Sequence, residues 1–176
     1  GRAKAEADRD ALQELAQAEG QSAPLEAWDW RYYAEKLRVA RYDFDENELK
    51  PYLELEKVVD AGFFVAGELF GLTFSPRTDI VGYHPDVRVW EVTRKGQHVG
   101  LWYFDPFARE GKRSGAWMTD YRTQETFKGK KTTLVSNNCN YIKAEAGKPV
   151  LISWDDAETM FHEFGHAIHG LCSEVV

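Results

Sequence analysis

His162 and His166 stand four residues apart, and Glu163 directly follows the first of them. On an α-helix this spacing places two side chains about 40° apart around the axis and one turn along it. Both imidazoles can then turn toward one ion. Zinc takes nitrogen ligands at about 2.0–2.1 Å in tetrahedral geometry. Glu163 is rotated about 100° from His162, so it can sit beside such an ion without binding it. From there a carboxylate can take a proton from an attacking water and later pass it to a leaving amine. The chemistry open to this pattern is zinc-assisted hydrolysis, with His162 and His166 as metal ligands and Glu163 as general base. The competing reading is a plain amphipathic helix with two half-exposed histidines and a surface glutamate.

A catalytic zinc site needs three protein ligands and one open position. His169 shares the face of His162 and His166. Three ligands spread over two turns of one straight helix converge poorly on one ion, however, so His169 reads as a structural or supporting histidine. Cys172 stands where a third His, ten residues after the first, would complete a longer motif. Glu174 reads as too close in sequence to loop back, though that option stays open.

These residues need a helix to hold them. Ser153, with Asp156 three residues on, can form a capping box, and Asp155, Asp156 and Glu158 suit the positive end of a helix dipole. Met160, Phe161, Phe164, Ile168 and Leu171 supply apolar packing. The pattern predicts a helix from Trp154 to about Leu171. Upstream, residues 3–19 read as a polar Ala/Glu-rich helix that Gly20 can end, followed by a linker with Pro24. Asp29 can cap a helix from Trp30 to about Arg41, with Trp30, Tyr33, Leu37 and Ala40 on one face. Asp45 and Glu48 resemble a second capping box. A helical stretch follows from Glu46 to Phe70, with Pro51 breaking it near its start and Gly71 ending it. Val87–Val92 and His98–Phe104 alternate around a Lys95-Gly96 turn and read as a hairpin. Ser114–Thr119 and Thr132–Ser136 are weaker strand candidates, and residues 105–113 and 137–150 read as loops. The fold class expected is mainly α with a small antiparallel β-sheet. Residues 1–27 form an N-terminal helix and linker, and residues 28–176 form part of a catalytic domain.

Composition narrows the partners. The net charge of −7 comes without a basic cluster beyond Lys128-Gly129-Lys130-Lys131, which reads as a solvated turn and argues against nucleic acid. No apolar run has the length to span a bilayer, so no membrane partner is expected. Cys139 and Cys172 make no framework and read as reduced thiols in a cytoplasmic protein. His84, beside Pro85 and Asp86, reads as a turn histidine.

The run from Ser153-Trp154-Asp155-Asp156 through His162-Glu163-Phe164-Gly165-His166-Ala167-Ile168-His169-Gly170 closely resembles the active-site helix of the M3 family of zinc oligopeptidases. The likeness extends to Asn138-Cys139-Asn140-Tyr141, to Tyr83-His84-Pro85-Asp86-Val87-Arg88-Val89-Trp90, and from Asp29 to Leu53. The Trp-Asp-Asp and Tyr-His-Pro-Asp segments look most like the peptidyl-dipeptidase (dipeptidyl carboxypeptidase) branch, with the oligopeptidase A and thimet branch as the alternative. The resemblance implies a mostly helical, two-lobed, zincin-like enzyme whose channel admits short peptides. It implies one zinc ion on His162 and His166, Glu163 as base, and a third ligand, a Glu on a helix beyond residue 176. The remainder of the same catalytic domain is thus an implied partner, with short peptides as substrates. By resemblance to related zinc peptidases, residues 114–118 are a candidate edge strand for pairing with substrate backbone. The alternative function is a zinc-binding or structural module without catalysis.

Overall fold

A computed structural model describes residues 1–42 and 48–174. The chain forms two compact units, residues 1–48 and 49–176.

In the first unit, α1 (Arg2–Ala18) and α2 (Trp30–Tyr42) bury Leu12, Ala16 and Tyr33 together, with Leu15, Leu25, Ala34 and Leu37 around them. The polar α1 thus finds its neighbour within the chain. Of the expected face on α2, Tyr33 is buried and Leu37 packs beside it, whereas Trp30 and Ala40 are exposed. The Asp29 carboxylate turns back to accept from the Glu26 N–H at 3.1 Å. The capping box read at Asp45 lies outside the described residues.

The second unit begins with one turn of 3-10 helix at Lys50–Tyr52, which contains Pro51. The following helix, α3 (Leu55–Phe70), therefore starts later than the sequence suggested. It ends at Gly71, whose φ of 66° is the left-handed cap that glycine adopts without steric cost. Five strands follow: β1 (Leu72–Pro76), β2 (Arg88–Arg94), β3 (Gln97–Phe107), β4 (Trp117–Arg122) and β5 (Thr133–Tyr141). The last helix, α4, spans Trp154–Cys172. The β2–β3 hairpin turns on Lys95 and Gly96, both with positive φ, as a two-residue turn matched to strand twist requires.

The sheet order is β1-β2-β3-β5-β4. β3 and β5 run parallel, and the other three pairings are antiparallel. The expectation of a mainly α chain with a small antiparallel sheet is thereby corrected to a mixed α/β unit with a mixed sheet. Two features concealed this. After β3 the chain runs out to the sheet edge, forms β4, and returns inward as β5, so a parallel pair arises without a crossover helix. The Ser136-Asn137-Asn138-Cys139-Asn140 run also looks like a loop by composition. It is an interior strand whose polar side chains all find hydrogen-bond partners within the protein. β1, not foreseen, occupies the other edge, where Pro76 at its end costs no ladder bond.

One sheet face carries Phe74, Trp90, Trp102 and Phe104, packed against Phe63 of α3 and Phe164 of α4. Gly100 is required where β3 passes β5: a Cβ there would overlap the Thr133 carbonyl and the Leu171 side chain. The segments preceding the two helices are tied by Leu55 N–H to the Val150 carbonyl at 2.8 Å and Ile152 N–H to the Leu53 carbonyl at 3.0 Å.

At the end of β3, Asp105 is 1% exposed. It accepts two bonds from Arg109 at 2.6 and 2.8 Å, one from Lys112 at 2.9 Å and one from the Tyr83 hydroxyl at 3.1 Å. Burial alone would raise its pKa, but Arg109 and Lys112 outweigh it and hold the carboxyl below its ordinary value. A lowered folded pKa gives stability that is present above the unfolded value, about 3.9, and lost as pH falls through the folded one. Asp105→Asn is expected to cost about 3–5 kcal/mol, because Lys112 is left buried without its partner. Its denaturation curve is also expected to lose part of the wild-type decline below about pH 4, measured by urea unfolding across pH.

Candidate active site

α4 forms as the sequence predicts. The Ser153 hydroxyl accepts from the Asp156 N–H at 3.0 Å, and the Asp156 carboxylate accepts from the Ser153 N–H at 3.1 Å. Ala157, Met160, Phe164, Ala167, Ile168 and Leu171 are buried. Phe164 sits 5.2 Å from Trp102 and 5.7 Å from Phe74, ring centre to ring centre. Anchoring Phe164 inward turns His162 and His166 outward and leaves Glu163 partly buried at their side.

The two imidazoles converge. Their Nε2 atoms lie 3.1 Å apart. Two nitrogens on one tetrahedral zinc would stand about 3.3 Å apart, given bond lengths near 2.05 Å. The pair therefore fits one ion with little adjustment. Among the described residues no third His, Cys, Asp or Glu joins them. His169 and Glu174 are exposed and do not complete the set. His84 is a turn residue, its Nδ1 accepting from the Asp86 N–H at 3.2 Å.

β5 lies directly beneath this helix. Asn137, 1% exposed, donates from Nδ2 to the Glu163 backbone carbonyl at 2.6 Å, while its Oδ1 accepts from the Trp102 indole N–H at 2.6 Å. Burial pushes the neighbouring Cys139 thiol up to about 11, so it stays protonated at neutral pH. Beyond β5, β4 is the edge strand and begins at Trp117, so the candidate segment 114–118 overlaps it only at Trp117 and Met118. Met118 pairs with Asn137 across the ladder. At the C-terminal end of α4, a Cβ on Gly170 would lie 3.1 Å from Asp120 Oδ1 and 3.3 Å from Val135 Cγ1, so the helix approaches these strands closely there.

The sequence model of peptidase family M3 matches residues 2–175. The chain belongs to peptidase family M3. It is 50% identical over 146 residues to a dipeptidyl carboxypeptidase of Escherichia coli, covering 82% of this chain and 21% of that protein. It is 46% identical over 162 residues to a dipeptidyl carboxypeptidase of Salmonella typhimurium, covering 91% of this chain and 24% of that protein. An oligopeptidase A of E. coli is 34% identical over 167 residues, covering 93% of this chain and 25% of that protein. The chain thus spans a quarter or less of the length of these relatives. M3 is a metallopeptidase family, which accords with a metal at the paired histidines.

Sequence reasoning missed Asn137 and Trp102. A usable signal existed: Thr133, Asn137 and Tyr141 recur every four residues, which keeps them on one strand face. The polar composition around Asn137 masked it. The described residues bring together two candidate nitrogen ligands, so the 176-residue chain is expected to bind zinc weakly by calorimetry, and His166→Ala to remove the heat of binding. Tight one-to-one binding would mean that a third ligand lies within these residues.

Proposed function

We propose that this chain supplies the metal-binding and general-base part of a zinc-dependent peptidase that hydrolyses short peptides and releases C-terminal dipeptides. The observation that carries the reading is the 3.1 Å approach of the His162 and His166 Nε2 atoms with Glu163 on the adjoining face. The dipeptidyl carboxypeptidase names of the two relatives at 46% and 50% identity support the dipeptide product. His162 and His166 hold the ion. Zinc, when bound, supplies Lewis-acid activation of water and of the scissile carbonyl. Glu163 accepts the proton of the attacking water and delivers it to the departing amine. The free edge of β4 offers backbone donors and acceptors to an extended peptide.

The third ligand is proposed to come from the rest of the catalytic domain. An apolar face beside the histidines supports this: Phe64, Leu69 and Phe70 of α3 and Trp154 and Phe161 of α4 are all exposed. Of these, Trp154 and Phe161 line a cavity of about 340 Å³, and Phe70 and Phe161 one of about 150 Å³, between the two helices. Apolar patches of this kind are normally covered. For the chain by itself, the two-ligand set favours zinc binding without catalysis. Among the described residues no helix is long and apolar enough to cross a membrane. A cytoplasmic location is part of the proposal and rests on the free thiols of Cys139 and Cys172.

In a protein carrying the complete domain, Glu163→Gln is expected to lower kcat at least about a thousand-fold and leave the zinc content by metal analysis unchanged. Retained turnover would refute the general-base assignment. Zinc bound at full occupancy without cleavage of any short peptide by the wild type would favour the non-catalytic reading.

A further inference from the structure

Three side chains of β5 donate to three carbonyls of α4. Thr133 Oγ1 lies 3.4 Å from the Gly170 carbonyl, Asn137 Nδ2 lies 2.6 Å from that of Glu163, and the Tyr141 hydroxyl lies 3.3 Å from that of Asp156. The donors are four residues apart on the strand, and the acceptors seven apart on the helix, in reverse order. Seven residues bring a helix back to nearly the same face and advance it about 10.5 Å, while four strand residues advance about 13 Å. Side-chain reach absorbs the difference. All three donors are buried. Burial holds the Tyr141 phenol well above its ordinary pKa, so it remains a donor.

Only the middle rung is short, and it falls on the catalytic turn. Trp102 sets its polarity. An indole N–H can only donate, so Asn137 must turn Oδ1 toward Trp102 and Nδ2 toward Glu163. The backbone of Asn137 pairs with Met118 of edge strand β4 and with Phe104 of β3. One residue therefore links the base-bearing turn to the edge strand. Apolar packing is non-directional and leaves a helix some freedom to roll on a sheet, whereas hydrogen bonds fix direction. At a side-chain radius of about 6 Å, a roll of about 10° moves a side-chain tip by about 1 Å. A misplacement of that size can cost about a hundred-fold in rate.

We propose that Asn137, oriented by Trp102, is a positioning residue that fixes the roll of α4 on the sheet and so sets the Glu163 carboxylate against the β4 edge. This rests on the reading of Glu163 as general base. Leucine has the same number of heavy atoms and the same branching but cannot hydrogen-bond, so Asn137→Leu removes both directional bonds.

The test uses a protein carrying the complete domain, with Asn137→Leu, Trp102→Phe and Glu163→Gln beside the wild type. Asn137→Leu is expected to keep one zinc per chain, with affinity in chelator competition and KM each within about threefold, while kcat falls about a hundred-fold. In the metal-free protein, amide exchange over residues 162–167 is expected to quicken about tenfold, as loss of one buried bond implies. Trp102→Phe, which leaves the amide free to turn, is expected to lose about tenfold in kcat. If Asn137→Leu does not fold, Trp102→Phe carries the same test. A folded, zinc-loaded variant with kcat within threefold of wild type would overturn the proposal. So would a kcat loss that merely follows zinc loss. If Glu163→Gln retains turnover, the general-base reading fails and this proposal with it. If Glu163→Gln is inactive while Asn137→Leu is not impaired, the positioning role alone fails.

Discussion

The orientation of the histidine pair in the second unit depends on the burial of the inner face of α4. Phe164 is enclosed by Trp102, Phe74 and Phe63, and Met160, Ala167 and Leu171 extend the same contact along the helix. Because Phe164 follows Glu163 and lies between the two histidines in sequence, its insertion into the core decides where the motif faces. A residue 100° around the helix from a buried one is half-exposed, and one 160–200° away is fully exposed. Glu163 and the two histidines occupy those positions.

Apolar burial alone would not hold that orientation to within an ångström. The polar side chains of β5 add direction. Thr133, Asn137 and Tyr141 give the helix three fixed carbonyl partners, and the Trp102 indole fixes the sense of the central amide. Buried amides are costly when unpaired, and both ends of the Asn137 carboxamide are paired. On the opposite face of the sheet, Asp105 plays a comparable part for the loop that follows β3, gathering Arg109, Lys112 and Tyr83 around one carboxylate. The sheet thus carries a polar network on each face, one fixing a helix and one fixing a loop.

The family match and the geometry speak to different levels. The match places the chain among M3 peptidases over residues 2–175. The geometry shows how the two imidazole Nε2 atoms come to lie 3.1 Å apart and how Asn137 holds the backbone carbonyl of the glutamate between them. The apolar side chains Phe70, Trp154 and Phe161 and the paired histidines are all exposed.

The sequence by itself determined what depends on neighbours a few residues away. The His-Glu-Phe-Gly-His spacing, the Ser153–Asp156 capping box, the Lys95-Gly96 turn and the Gly71 cap are local, and each stands where the sequence placed it. Tertiary structure alone decided what depends on distant partners. The parallel pairing of β3 with β5, the length of β5 through its polar run, and the link from Asn137 to Glu163 join residues 26 or more positions apart. A polar residue in sequence does not reveal whether its hydrogen bonds go to water or to a buried carbonyl. Here they go to the carbonyl, and a run that reads as loop became the strand beneath the site.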